Sequence, residues 1–172
     1  ELILEQLSEI NREYDVSVPL IFMNSFYTHE ETQKVIKDHP SGVDIRSFQQ
    51  NKFPRLRKDD DCPLGELEFG AEAWYPPGHG DIYHCLQYQG ILDQLLSEGR
   101  EVLFVSNADN LGAVVDMRIL SYMLEEDIPF LMEVTNKTAA DVKGGTLYLD
   151  KGRLRLLEIA RVPEDRLDEF CS

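Results

Sequence analysis

Pro77-Gly78-His79-Gly80-Asp81 places a histidine between two glycines. Glycine reaches backbone angles closed to other residues and lets a ligand approach the main chain. His79 is therefore placed to hydrogen-bond a phosphate or a sugar. A helical pattern follows, and free N–H groups at a helix start favour an anionic or carbonyl-bearing ligand. The same punctuation also marks an ordinary tight turn. Further along, Phe104-Val105-Ser106-Asn107-Ala108-Asp109-Asn110-Leu111-Gly112 is an apolar run that breaks off in Ser, Asn, Asp and Asn. A carboxylate such as Asp109 at the end of a buried strand suits Mg²⁺, which takes one or two carboxylates together with phosphate oxygens. Asp or Asn at that point equally suits the cap of a following helix.

Gln50 is followed by Lys52 and Arg55. An amide offers both a donor and an acceptor and can read a base edge, or it can satisfy loop backbone groups. Gly144-Gly145, in the segment Asp141–Thr146 with Lys137 and Lys143 before it, permits close backbone approach to a sugar or simply turns into a hairpin. Glu158 interrupts the apolar strand expected over Leu154–Ala160, where it either grips sugar hydroxyls or faces water. The run Asp59-Asp60-Asp61 reads as a solvated loop rather than a cation site. His29, His39 and His84 have no partner at ligand spacing and read as structural or surface residues. Neither a Gly-x-Ser-x-Gly elbow, a Walker loop nor a Cys/His metal pattern is present.

These groups need elements to hold them. Ile3, Leu7, Ile10 and Tyr14 recur at helical spacing, so 1–14 reads as an amphipathic helix. Val18–Met23 is a short apolar run and reads as a buried strand. Thr28 with Glu31 resembles a capping box, opening a helix that runs to about Lys37 and stops near Pro40. Val43–Phe48 is the next strand, which gives β-α-β spacing and a parallel pair with a right-handed crossover. Tyr88, Ile91, Leu92, Leu95 and Leu96 define a helix closing at Gly99. Val102–Val105 and Phe130–Val134 read as strands around a helix carrying Val115 to Leu124, a second β-α-β unit about Asp109. Gly145–Leu149 and Leu154–Ile159, joined through Asp150-Lys151-Gly152, read as a hairpin. A last helix is expected over Glu164–Phe170.

The 172 residues suffice for one domain with a hydrophobic core. A net charge of −15 argues against a general nucleic-acid surface, which needs a basic face. It leaves room for a nucleotide site built from backbone N–H groups, a few cations and Mg²⁺. The longest apolar runs are too short to cross a bilayer. The chain begins without Met and shows no charged-then-apolar leader. Cys62, Cys85 and Cys171 are odd in number and scattered, which fits reduced thiols and a cytoplasmic setting.

The ordered segments Pro19–Phe26, Gln50–Arg55, Trp74–Tyr83, Phe104–Gly112 and Met132–Leu147 together resemble the eukaryotic UTP–glucose-1-phosphate uridylyltransferases, or UDP-glucose pyrophosphorylases. The likeness extends over essentially the whole chain. It implies an α/β fold with a GT-A-like, Rossmann-related nucleotidyltransferase domain, a mixed and mainly parallel sheet between helices, and residues 1–172 as one partial catalytic domain. It further implies Mg²⁺ and reversible formation of UDP-glucose and pyrophosphate from UTP and glucose 1-phosphate, and is compatible with a homo-oligomer. By motif, Gln50, Gly78, Asn107 and Asp109 resemble nucleotide contacts. His79 and Asp109 resemble catalytic groups, with Asp109 also the metal ligand. His79, Gly145 and Glu158 resemble the sugar-phosphate and glucose contacts.

The implied chemistry is direct displacement at the α-phosphorus of UTP, which rests on positioning and charge neutralisation rather than on a protein nucleophile. Some features depart from the family. Its glycine-rich UTP loop with the following lysine, a second phosphate-binding lysine and the β-helical C-terminal domain have no counterpart in these residues. Gln49, Lys52 and Phe53 stand where Asn, Arg and Tyr are commoner, and Asp59–Gly70 is not closely family-like. The expectation is a catalytic-domain fragment holding about half the site. The alternatives are an enzyme for another sugar 1-phosphate and a non-catalytic nucleotide-sugar-binding module.

Overall fold

Ile3, Leu7 and Ile10 line the half-buried side of helix α1, Leu2–Glu13. Asn11 folds the chain back at its end: its Oδ1 accepts from the Val18 N–H at 2.8 Å, and its Nδ2 donates to the Val18 carbonyl at 3.2 Å. Strand β1, Leu20–Asn24, follows. Helix α2, His29–Asp38, then leads to strand β2, Ile45–Gln49. The two strands pair in parallel, from Leu20 with Ile45 to Asn24 with Gln49, as the β-α-β spacing predicts. The expected capping box is not formed. The Thr28 hydroxyl turns back to accept from the Ser25 N–H at 3.1 Å, and Glu31 pairs with Lys34 at 2.6 Å. Local hydroxyl-to-backbone bonds of this kind compete with capping geometry.

The computed structural model describes residues 2–38, 41–136, 138, 144–167 and 170. His39, Pro40, Lys137, Asp141, Val142, Lys143 and Cys171 lie outside the described residues. The chain divides into two units, Glu1–Val115 and Asp116–Ser172.

The first unit continues with the short strand β3, Phe53–Pro54, and helix α3, Glu66–Phe69. Strand β4, Trp74–Tyr75, pairs antiparallel with β3. A 3-10 turn, His79–Asp81, runs directly into helix α4, Ile82–Tyr88. The single helix expected up to Gly99 is broken at Gln89-Gly90, and its second half is helix α5, Ile91–Ser97. Phe48, Cys85 and Leu86 are buried at the centre, with Ile21, Met23, Ile82, Ile91 and Leu92 packed on them. The β1–β2 pair thus rests on α4 and α5. Burial of a side chain such as Phe48 stabilises by roughly 1.5–3 kcal/mol, enough to fix the chain segment that precedes the Gln50 loop.

In the second unit, helix α6, Met117–Glu125, starts at Asp116, whose Oδ1 accepts from the Arg118 N–H at 2.8 Å. Strands β5, Thr146–Asp150, and β6, Arg153–Leu157, form the expected hairpin. Lys151 and Gly152 both have positive φ, +49° and +78°, the two-residue turn whose twist matches the strands. The 3-10 turns Ile159–Arg161 and Glu164–Arg166 follow. The second of these opens the segment expected to be the last helix.

Two expected strands are absent among the described residues. Val102–Val105 and Phe130–Val134 are without ladder hydrogen bonds. The side chains of Val102 to Val105 are 40 to 54% exposed, so neither alternating face is covered. An apolar run becomes a strand only where a neighbour supplies hydrogen bonds and cover, and the described residues supply none. The expected second β-α-β unit about Asp109 is reduced to its helix.

Candidate functional site

Parallel pairing brings the carboxyl ends of β1 and β2 to the same edge. There the Gln50 N–H donates to the Asn24 carbonyl at 2.8 Å, extending the ladder by one residue. Asn24 is buried and accepts at Oδ1 from the Thr32 hydroxyl at 3.1 Å, and its Nδ2 lies 3.5 Å from His29 Nδ1. With its backbone held there, Gln50 extends its amide to the Pro77–Asp81 loop. Gln50 Oε1 accepts from the Gly78 N–H at 3.0 Å, across 28 residues of sequence. Gly78 has φ +108°, a conformation open to glycine and strained for any other residue. Two expected nucleotide contacts are thus in direct contact. The commoner use of an amide, satisfying loop backbone, is the use found here.

Two further ties stitch the same segments together. Gln89 Nε2 donates to the Gln49 carbonyl at 2.7 Å. The Asp81 carboxylate accepts from the Asn51 N–H at 2.8 Å, from Asn51 Nδ2 at 3.0 and 3.1 Å, and from Cys85 Sγ at 3.1 Å. Burial pushes the Asp81 carboxyl up, but the bonds donated by the Asn51 backbone, the Cys85 thiol and the Asn51 amide outweigh it and hold its pKa below the ordinary value. The Cys85 thiol is pushed up, first by burial and then by its bond to Asp81. The His79 side chain is exposed and makes no hydrogen bond among the described residues, while its carbonyl accepts from the Ile82 N–H. Lys52 Nζ lies 4.4 Å above the Trp74 ring, and Arg55 Nε donates to the Trp74 carbonyl at 3.1 Å, so neither cation is aimed at the Gln50 amide.

Asn107 and Asp109 occupy an exposed turn, closed by Asn110 N–H to the Asn107 carbonyl at 3.1 Å. Asp109 caps no helix. The following helix is capped by Asp116, held at a pKa of about 2 by the Arg118 guanidinium and N–H. No hydrogen bond ties this turn to Gln50 or Gly78 among the described residues. No group of three or more His, Cys, Asp or Glu able to hold a metal occurs among them either. Asp109 fits a Mg²⁺ site only in the form where one carboxylate shares the ion with substrate phosphate oxygens.

In the second unit the structure brings Gly145 and Glu158 together. A Cβ built on Gly145 would lie 3.0 Å from Glu158 Oε1, 3.0 Å from Leu156 Cδ1 and 3.3 Å from Glu158 Cδ. A side chain at position 145 would require that carboxylate and Leu156 to give by a few tenths of an ångström. Glu158 does not interrupt a strand as expected. β6 ends at Leu157, and the Glu158 carbonyl accepts from the Arg161 N–H at 2.9 Å to start a 3-10 turn. The acidic run lies on an exposed loop, where Asp60 pairs with Arg57 at 2.8 Å and accepts from the Cys62 N–H at 3.0 Å.

Sequence reasoning missed Asn51, Asp81, Gln89 and the partnership of Cys85. The one available signal was Asp81 itself, a carboxylate three residues after Gly78 and four before Cys85, at the start of a helical pattern.

The fold is α/β, with polar loops gathered at the carboxyl ends of a parallel strand pair, the edge at which open α/β sheets take ligands. A family model for UTP–glucose-1-phosphate uridylyltransferase matches residues 1–172. The chain is 51% identical over 174 residues to UTP–glucose-1-phosphate uridylyltransferase 2 of Dictyostelium discoideum, covering 100% of this chain and 35% of that protein. It is 50% identical to the Saccharomyces cerevisiae UTP–glucose-1-phosphate uridylyltransferase, covering 99% and 34%. Among solved structures it resembles a UDP-glucose phosphorylase from Trypanosoma brucei, with TM-score 0.87, 38% identity and coverage of 99% and 39%. It also resembles a mutant UDP-glucose pyrophosphorylase from Leishmania major in complex with UDP-glucose, with TM-score 0.84, 33% identity and coverage of 99% and 40%. The chain belongs to the UTP–glucose-1-phosphate uridylyltransferase family. It spans about a third of the length of the relatives it matches.

Proposed function

We propose that the protein to which this chain belongs transfers uridylyl from UTP to glucose 1-phosphate, giving UDP-glucose and pyrophosphate reversibly. The observation that carries the reading is the Gly78 N–H to Gln50 Oε1 bond of 3.0 Å, which joins two expected nucleotide contacts from distant segments. With Oε1 engaged, Gln50 Nε2 is the end left to donate to a base carbonyl. Gly78 lets the nucleotide approach the main chain, and His79 donates to the sugar phosphate or to a phosphate oxygen. Asn107 hydrogen-bonds the nucleotide. Glu158, beside the bare Gly145 backbone, accepts from glucose hydroxyls.

The reaction is an in-line displacement. A phosphate oxygen of glucose 1-phosphate attacks the α-phosphorus of UTP, a new P–O bond forms, and the bond to pyrophosphate breaks. The protein's part is to align the two phosphates and neutralise their repulsion. Asp109 is the residue we assign to Mg²⁺, which when bound would supply charge neutralisation at the phosphates. A GT-A-like, Rossmann-related sheet is part of the same reading, supported by the parallel β1–β2 pair and the likeness to UDP-glucose pyrophosphorylase structures. So is residence in the cytoplasm, supported by the free thiols of Cys62 and Cys85. No helix among the described residues is long and apolar enough to cross a membrane.

The test is titration of UDP-glucose into the protein expressed from its full reading frame, with UDP-N-acetylglucosamine and ATP as comparators. Binding selective for UDP-glucose, with pyrophosphate released from UTP and glucose 1-phosphate, is the expected result. Equal binding of all three, or none by a folded protein, would overturn the assignment.

A further inference from the structure

Asp81 belongs to the Pro77–Asp81 loop, yet the roles above leave it unused. It is also where the Gln50 segment is fastened. One carboxylate takes the Asn51 N–H, the Asn51 amide and the Cys85 thiol, at 2.8 to 3.1 Å. Its own N–H donates to the Gly78 carbonyl at 3.2 Å, closing the turn that presents Gly78 and His79. Every group facing the carboxylate is a donor, and an ionised carboxylate is the side chain that accepts from all of them and donates to none. Cys85 is 1% exposed, so this end of the network is shielded from water.

We propose that Asp81 is a positioning residue: by gripping Asn51 and Cys85 it holds the Gln50 amide in one orientation, with Oε1 on the Gly78 N–H and Nε2 left to the ligand. The proposal rests on the reading of Gln50 and Gly78 as nucleotide contacts. Gln49 is held independently by Gln89 at 2.7 Å, and the backbone of Gln50 by Asn24 at 2.8 Å. Loss of Asp81 therefore frees the stretch from Asn51 onward, and with it the setting of the Gln50 side chain, without releasing β2, the Gln50 backbone or the Phe48–Cys85–Leu86 core. Asp81→Asn is the informative change. It keeps the shape but sets an NH₂ group against the Asn51 and Cys85 donors, so part of the network is left unpaired.

The experiment uses Asp81→Asn, Gln50→Ala and the double variant, each from the full reading frame. Hydrogen exchange at the Gly78 amide should be faster in Asp81→Asn by about fivefold or more, while the Leu95 amide in the core is unchanged, because the opening is local. The Kd for UDP-glucose should rise about tenfold, the scale of one lost hydrogen bond, with kcat at saturating substrate little altered. The double variant should bind no more weakly than Gln50→Ala alone. Unchanged Gly78 exchange, or fully additive effects in the double variant, would overturn the proposal. If Asp81→Asn does not fold, Asn51→Ala replaces it. That variant removes the amide bonds and keeps the N–H bond, so a smaller change in the same direction is expected, and no change refutes the role. Should the unaltered protein bind no UDP-glucose, the nucleotide reading fails, and Gly78 exchange alone still decides what Asp81 does.

Discussion

Gly145→Ala separates the sugar contact from general stability. The φ of Gly145 lies outside the left-handed region, so alanine can adopt its backbone. The obstacle is space: the new Cβ would meet Glu158 Oε1 and Leu156 Cδ1 at 3.0 Å. Relief requires the carboxylate to give by a few tenths of an ångström, which lengthens and misaligns a hydrogen bond to a sugar hydroxyl. A bond to a charged group is worth roughly 1.5–3 kcal/mol, so UDP-glucose affinity should fall roughly 10- to 150-fold. Folding should barely respond. Stiffening the unfolded chain stabilises by about 0.4–1 kcal/mol, which offsets the strain on an exposed and flexible Glu158. The assay is calorimetric titration of UDP-glucose and of UDP into the protein from its full reading frame, with a thermal melt of each variant. UDP binding should be unchanged. If UDP-glucose also binds as before, Glu158 does not touch the sugar. If both ligands weaken together, the change has disturbed the nucleotide site, and the argument from the Glu158 carboxylate fails.

His79→Ala and Asp109→Ala should each lower turnover by well over tenfold, about 1.4 kcal/mol or more of transition-state stabilisation, in a pyrophosphate-release assay; near-normal rates in both would remove them from the site. Asp60→Asn weakens an exposed pair with Arg57 and a turn bond to Cys62. It should leave turnover unchanged and cost less than about 1 kcal/mol in a denaturant titration. For Asp116, the folded pKa of about 2 lies below the ordinary carboxyl value, so its support for α6 is complete above that value and is lost as pH falls toward 2. Asp116→Asn keeps a capping side chain but removes the titration. Helical circular dichroism followed from pH 5 to pH 2, a window set by the two pKa values, should therefore show a shallower loss in the variant than in the unaltered protein.

The fold was legible wherever a segment carries its own instructions. The α1 stripe, the β1-α2-β2 spacing and the Lys151-Gly152 turn each state their conformation within one continuous stretch of chain, and each is found in place. Reading failed where conformation depends on a neighbour. Val102–Val105 has the composition of a buried strand, but composition does not provide the partner that would make it one. Thr28 and Glu31 have capping-box spacing, but the box loses to a nearer acceptor–donor pairing between Thr28 and Ser25. The short β3–β4 pair went unread because its two residues a side carry no periodicity at all.

The candidate site divides along the same line, with a more useful consequence. Parallel pairing delivers the ends of β1 and β2 to one edge, so polar residues following apolar runs mark that edge before any contact is known. Gln50 stands out in this way, as a polar residue after the second strand; Gly78 stands out instead as a glycine in a loop that opens a helix, and the nucleotide role of both is what the family resemblance implies. Their partners do not stand out, because Asn51, Asp81 and Gln89 are the residue types that turns and helix starts use everywhere. Only their distances, 2.7 to 3.1 Å across 30 to 40 residues of sequence, distinguish them from ordinary turn polarity. Residues that touch a ligand have chemistry that can be named from the chain. Residues that aim them have chemistry shared with every loop, and in this protein they are the larger share of what holds Gln50 against Gly78.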